Sequence, residues 1–169
     1  MALLSASFSR DANFVPVTNL GLIAKKTITF SGAVGSNTWG DDGGTLDGAA
    51  IFTVTGAVQA QVFGVCTTNL AGAGTHAVGI AGATTIFLPT EDAVDINAGD
   101  FVINNATVTA YPILGAQTAA NGNFPLYMLN GQDVIMTIAG GANIESGVID
   151  YYCIWTPIST DGNVVATTL

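Results

Sequence analysis

The stretch GVIDYYCIW at residues 147–155 decides the fold class. It is rich in β-branched and aromatic residues, which favour strands over helices. Its apolar residues fall at odd and even positions alike. Because successive side chains of a strand point to opposite faces, this pattern predicts a central strand that is covered on both sides.

Similar but shorter apolar runs lie on the N-terminal side of this stretch. Further strands are predicted at residues 27–30, 49–55, 58–66, 76–80, 84–88, 93–96, 101–103, 126–129 and 134–138, and residues 108–111 are a weaker candidate. Ala81-Gly82-Ala83 predicts a hairpin with a three-residue loop, and Pro89 is expected to end the strand that follows it. Asn130-Gly131 predicts a second hairpin between its flanking strands.

Turn residues recur about every 8–12 positions, which is typical of an all-β sandwich or barrel. No helical period extends beyond about two turns. The composition does not shift sharply after residue 20, so residues 21–169 are predicted to form one domain of roughly nine or ten strands. Residues 1–20 lack a sustained period and are predicted to be an extended N-terminal arm.

The charge composition excludes several classes of partner. Only 9% of the residues are charged, against about 25% in a typical soluble domain. Three basic and 12 acidic residues give a net charge of −9, which disfavours binding to nucleic acid or anionic membranes. No signal peptide or transmembrane run is evident in the sequence. A surface with so few charges favours a protein that works by assembly.

A search for catalytic chemistry yields little, and the chain is expected not to be an enzyme. His76 is the only histidine and lies in a strand-like context, which favours a structural role. The sequence contains no phosphate-binding loop or dinucleotide fingerprint, and no cofactor is expected. Cys66 and Cys153 lie in apolar strands, and two buried free thiols are favoured over a disulfide.

Two acidic groups are candidate sites. Asp41, Asp42 and Asp47 lie in one Gly-rich loop and form a weak calcium candidate, although a solvated acidic loop is favoured. A second group lies at turns, where aspartate commonly caps the backbone, and this role is favoured over a glycosidase carboxylate pair. Its members are Glu91, Asp92, Asp95 and Asp100.

The aromatic residues offer candidate contacts. Trp39 lies in a polar loop and is predicted to be either a plug for one end of the barrel or an interface anchor. Phe8, Phe14 and Val15 are the interface candidates in the arm. The aromatic residues near the C-terminus are expected in the core, with an exposed sugar-stacking row as the alternative. They are Tyr127, Tyr151, Tyr152 and Trp155.

Four stretches carry a family resemblance: residues 52–66, 92–99, 143–155 and 159–164. Together they resemble small structural proteins encoded beside the capsid genes of tailed bacteriophages. The resemblance covers about residues 48–165 with gaps, and its motifs are strand and turn patterns.

The resemblance implies a jelly-roll-like β-sandwich that acts as a head decoration (cement) protein. Such a protein is made in the host cytoplasm and binds, as a homotrimer, to the major capsid protein on the outer capsid surface of the virion. The alternatives are a tail or baseplate component, which would form rings of three or six, and a carbohydrate-binding module.

Overall fold

The computed structural model describes residues 21–32, 38–104, 106–108 and 126–168. This part of the chain contains eleven strands and one 3-10 turn at Ala93–Asp95. The strands are β1 (Leu22–Phe30), β2 (Ala50–Thr55), β3 (Ala57–Ala71), β4 (Thr75–Ile80), β5 (Ala83–Asp92), β6 (Phe101–Ile103), β7 (Ala106–Val108), β8 (Tyr127–Asn130), β9 (Val134–Ala139), β10 (Ser146–Pro157) and β11 (Asn163–Ala166). Among the described residues, no helix has the length and apolarity to cross a membrane.

The strands form two antiparallel sheets, as the sequence predicted. The six-stranded sheet has the order β1-β10-β3-β6-β7, and β8 also pairs with β3. The five-stranded sheet has the order β11-β2-β9-β4-β5. The chain passes back and forth between the sheets, and this strand order is that of a jelly roll, in which Greek-key connections enclose one core.

Strand β10 lies between β1 and β3 and is central, as predicted. Its residues Ile149, Tyr151, Cys153 and Trp155 point inward and are buried. The alternate residues are only half-buried, so the strand is covered fully on one side alone. The apolar pattern of residues 147–155 therefore predicted the position of the strand correctly but overestimated the cover on its outer side.

Both predicted hairpins need correction. Ile80 pairs directly with Ala83, so the β4–β5 loop has two residues, and Gly82 supplies the positive φ that this tight turn requires. Asn130-Gly131 does not join two neighbours in one sheet, because β8 pairs with β3 and β9 pairs with β2 and β4. The same turn chemistry here carries the chain from one sheet to the other, with Gly131 at φ 72°.

Three other strand predictions were wrong in detail. Pro89 does not end its strand, since β5 continues to Asp92. This is possible because β5 is an edge strand, where a residue without an N–H leaves no bond unmade on its outer side. Residues 93–96 form the 3-10 turn and its end instead of a strand. Strand β3 is longer than the predicted 58–66 because it also pairs with the start of β10.

Candidate interaction surface

Trp39 lies inside the sandwich. It forms an isolated bridge with Phe30, its carbonyl accepts a hydrogen bond of 2.9 Å from Ser31, and the side chain is only 8% exposed within the core cluster. Of the two alternatives, the structure favours the plug, because the indole is already covered by its own chain. The other interface candidates, Phe8, Phe14 and Val15, lie outside the described residues.

Two of the three loop aspartates accept hydrogen bonds from backbone groups of their own chain. Asp47 accepts hydrogen bonds from Ile138 N at 2.8 Å and Gly43 N at 3.2 Å, and Asp42 accepts one from Gly141 N at 2.7 Å. Asp41 is buried. Among the residues described, no three His, Cys, Asp or Glu side chains converge as metal ligands would. Asp42 and Asp47 instead connect the loop to its neighbours, which agrees with the favoured interpretation of a loop without a metal, and the calcium candidate at Asp41, Asp42 and Asp47 gains no support.

The second acidic group also includes a turn cap. Asp100 is buried, and its carboxylate accepts a hydrogen bond of 2.7 Å from Asn97 N, which closes the turn before β6. This is the capping role predicted for aspartate at such a turn. Asp92 and Asp95 are exposed at the other side of the same connection.

His76 is enclosed between the two sheets. Its ring lies 6.4 Å from that of Phe30 and 6.3 Å from that of Tyr151, centroid to centroid. Neither ring nitrogen makes a hydrogen bond of regular geometry, although the Glu91 backbone is close enough to influence the ring. Burial lowers the pKa of His76 to about 4. The backbone of Glu91 raises this pKa, but its effect is smaller than that of burial. A buried, neutral imidazole without contact to solvent is a structural histidine, as the sequence indicated.

Cys66 and Cys153 are both buried free thiols, which confirms the prediction. Cys153 faces Val62 across the β3–β10 pair, whereas Cys66 faces Ile149. At about 3.3 Å per residue, the two thiols lie about 13 Å apart along the strands, beyond the reach of a disulfide. Burial raises the pKa of the Cys153 thiol to about 12 and also raises that of Cys66.

The outer side of the six-stranded sheet exposes several large apolar side chains of the described strands. We call it the apolar face. Ile23 is 65% exposed, and it pairs with the half-buried Ile154, which in turn pairs with Gln61. Met128 is 78% exposed beside Gln59 on the neighbouring strand pair. Leu126 is also exposed and lies just before β8. An apolar patch of this kind commonly marks an interaction site.

An aromatic stack crosses the middle of the apolar face. The rings of Tyr152 and Phe63 are stacked with centroids 5.1 Å apart and an interplanar angle of 14°. Lys25 Nζ lies 5.5 Å from the centroid of the Tyr152 ring. Because Phe63 and Lys25 lie against the Tyr152 ring, this ring does not offer the open platform on which a sugar ring stacks. Of the other C-terminal aromatic residues, Tyr151 and Trp155 are buried in the core.

Charge on the apolar face is balanced within the chain. Lys25 Nζ forms an ion pair of 2.8 Å with Asp150, which also accepts a hydrogen bond of 2.6 Å from Thr27. The bond to Asp150 raises the pKa of Lys25. Burial raises the pKa of Asp150, but its bonds to Lys25 and Thr27 outweigh this effect and lower the pKa overall.

The remaining acidic residues are distributed unevenly. Most of them lie at one end of the sandwich, which we call the loop end and which is formed by the connections at residues 38–48, 72–74, 93–100 and 140–145. They are Asp41, Asp42, Asp47, Glu91, Asp92, Asp95, Asp100 and Glu145. The two described lysines, Lys25 and Lys26, lie on β1 instead. Negative charge is thus concentrated away from the exposed part of the apolar face.

Most of this surface was not predicted from the sequence. In β3, Val58, Ala60 and Val62 are buried while Gln59 is exposed. Ile23 and Met128 were not predicted, because an isolated apolar residue near a strand end has the same signal whether it points inward or outward. Their positions opposite Ile154 and Gln59 become visible only once the register is known.

The comparisons with known proteins assign no family. No protein-family model, no curated protein and no solved structure has a significant match to this chain.

Proposed function

We propose that the chain is a non-enzymatic virion structural protein. Its proposed role is that of a capsid decoration (cement) protein that binds the outer surface of an assembled phage head and stabilises it, as a trimer. The observation that carries the proposal is the apolar face, which leaves Ile23, Leu126 and Met128 exposed on a chain with very few charges. An isolated protein gains nothing from such a surface, whereas an assembly buries it.

The physics of a cement protein fits these features. A protein that binds the assembled shell more tightly than free subunits stabilises the shell by mass action and needs no catalytic group. A net charge of −9 suits the outer side of a shell that contains DNA, because the protein does not compete for the phosphates inside. The jelly roll supplies a support in which the described residues of a single chain form one core cluster.

The alternative roles are less well supported by the geometry. A tail or baseplate component would use the same surface, and only its place in the particle separates the two roles. A carbohydrate-binding module needs open aromatic faces, and Tyr152 lies between Phe63 and Lys25.

The proposal can be tested on particles of the virus that encodes the chain. Gold-labelled antibodies against the chain should decorate the heads of intact virions, in which the DNA is still enclosed. Virions that lack the chain should release their DNA at a lower temperature, and adding the purified protein should restore their stability. Label confined to tails would overturn the decoration role in favour of the tail component, and absence of the chain from purified virions would overturn both.

A further inference from the structure

The fold encloses nearly all of the oxidisable sulfur and indole groups that the structure describes. The sequence contains three methionines, two cysteines and two tryptophans, and all of them except Met1 lie in the described residues. Five of these six side chains are at most 8% exposed. They are Trp39, Cys66, Met136, Cys153 and Trp155.

Met128 is the exception. Its side chain is 78% exposed, more than any other large apolar side chain that the structure describes. It lies on β8 directly opposite the exposed Gln59 of β3, and the next residue, Leu129, is buried. Because successive side chains of a strand point to opposite faces, the thioether of Met128 is held on the solvent side of the sheet.

Exposure controls the oxidation of a thioether, because the oxidant must reach the sulfur. The sulfur attacks one oxygen of a peroxide, the O–O bond breaks, and the other oxygen leaves as water or an alcohol. The sulfur thereby loses two electrons, which the peroxide gains. The two thiols compete poorly for the same oxidant, since the reactive form is the thiolate and burial raises the pKa of both Cys66 and Cys153.

The two described methionines differ in what a sulfoxide would disturb. At Met128 the new polar oxygen lies in water, and Gln59 on the paired strand, with Cβ atoms about 5 Å apart, offers an amide donor. At Met136 the oxygen would enter the core beside Tyr151, whose hydroxyl lies 3.6 Å from the sulfur. The fold thus exposes the methionine whose oxidation it tolerates and shields the other.

We infer that Met128 is a reversible oxidation site, at which a peroxide converts the most exposed apolar side chain of the described surface into a polar one without unfolding the chain. Methionine sulfoxide reductases reverse the step, with two thiols supplying the electrons and the oxygen leaving as water. The inference goes beyond the proposed function and does not depend on it, because it concerns the free chain.

The test oxidises the folded full chain with dilute hydrogen peroxide at neutral pH and follows each sulfur separately. A protease that cuts before aspartate places Met128 and Met136 in different fragments, 100–132 and 133–149. Cys66 and Cys153 fall in two further fragments, and Met1 has its own. Mass spectrometry of each fragment over time gives the rate at which it gains one oxygen atom, and the same series in concentrated urea gives the rates without the fold.

In the folded chain, Met128 is expected to gain oxygen at least about tenfold faster than Met136, whereas the two should react at similar rates in urea. The oxidised protein should elute earlier from a hydrophobic interaction column and unfold within about 2 °C of the untreated protein. A mixture of methionine sulfoxide reductases with dithiothreitol should restore the original mass and elution.

Matched variants assign the effect to one sulfur. Met128→Leu should abolish the fast gain of oxygen and the change in elution, whereas Met136→Leu should keep both, because leucine and methionine are similar in volume. Equal rates for the two methionines in the folded wild type would overturn the inference, as would earlier oxidation of either thiol or a sulfoxide that the reductases leave in place. If Met136→Leu fails to fold, the wild-type fragments decide the question alone.

Discussion

Asp47 continues the hydrogen bonding of β9 past the first residue of β2. Its Oδ1 accepts a hydrogen bond of 2.8 Å from the backbone N–H of Ile138, and its Oδ2 accepts one from Gly43. Strand β2 begins at Ala50, so a carboxylate takes the place of the strand neighbour that Ile138 would otherwise have on that side. This aspartate, one of the calcium candidates in the sequence, thus supplies a hydrogen bond that a strand neighbour would otherwise make.

Removing this carboxylate should destabilise the fold. We expect Asp47→Ala to lower the free energy of unfolding by about 1–3 kcal/mol, because the Ile138 N–H would lose its partner. Urea denaturation measures the change, and Asp95→Ala, at an exposed turn position, should change stability by less than about 0.5 kcal/mol. Calcium or a chelator should leave the wild-type midpoint unchanged, and a calcium-dependent rise would contradict this account.

Truncating Trp39 should also affect stability more than binding. The indole is part of the core, so Trp39→Ala leaves a cavity and should cost about 3–5 kcal/mol of unfolding free energy. Thermal unfolding followed by circular dichroism measures the loss. Trp39→Phe keeps most of the buried area, so it should lose less than half of the unfolding free energy that Trp39→Ala loses. A Trp39→Ala protein as stable as the wild type would show that the indole does not act as a plug.

Stability should depend on pH through His76. The pKa of this group is about 4 in the folded protein and about 6.5 when unfolded, so the unfolded chain binds its proton first as pH falls. The contribution of His76 to the free energy of unfolding is complete above pH 6.5 and decreases by about 3 kcal/mol as the pH falls to 4.

His76→Leu, which is similar in volume, is the variant that isolates this effect. Its urea midpoint should change less than that of the wild type between pH 7 and pH 4, since the carboxylates titrate equally in both proteins. Parallel curves for the two proteins would show that His76 is not the group responsible.

The two thiols should be unreactive until the protein unfolds. Both are buried, and burial raises the pKa of Cys153 to about 12 and also that of Cys66, so little thiolate exists at neutral pH. Ellman's reagent should detect neither thiol in the native protein and both in concentrated urea. Rapid reaction of one thiol in the native protein, or a disulfide after air oxidation, would contradict the register of β3 and β10.

The sequence predicted the fold class because alternation and turn residues are local signals. The central position of β10 was predicted from its apolar residues at both odd and even positions. The hairpin predicted at Asn130-Gly131 was wrong because a tight turn has the same local chemistry whether the next strand joins the same sheet or the other one. The strand end predicted at Pro89 was wrong because the effect of a proline depends on whether its strand is at an edge, which is a property of the whole sheet.

The candidate site was harder to predict for the same reason. Trp39 lies in a polar stretch of sequence, yet the chain folds back so that its indole joins the core. The apolar face combines residues from strands that are distant in sequence, such as Ile23 and Ile154, which meet only through the register. Periodicity describes one strand at a time and cannot show which outward residues become neighbours.

The register of β1 with β10 has a consequence for folding. Leu22 pairs with Trp155 and Phe30 with Gly147, so β1 can pair only after β10, which lies more than a hundred residues later in the chain. Closing so long a loop costs chain entropy before the contact is formed, and all-β domains of this kind fold in milliseconds to seconds. On the ribosome, at about 5–20 residues per second, β1 remains without its partner for several seconds. During that interval Lys25 and Lys26 place two charges on an unpaired strand edge, which discourages nascent chains from pairing with one another.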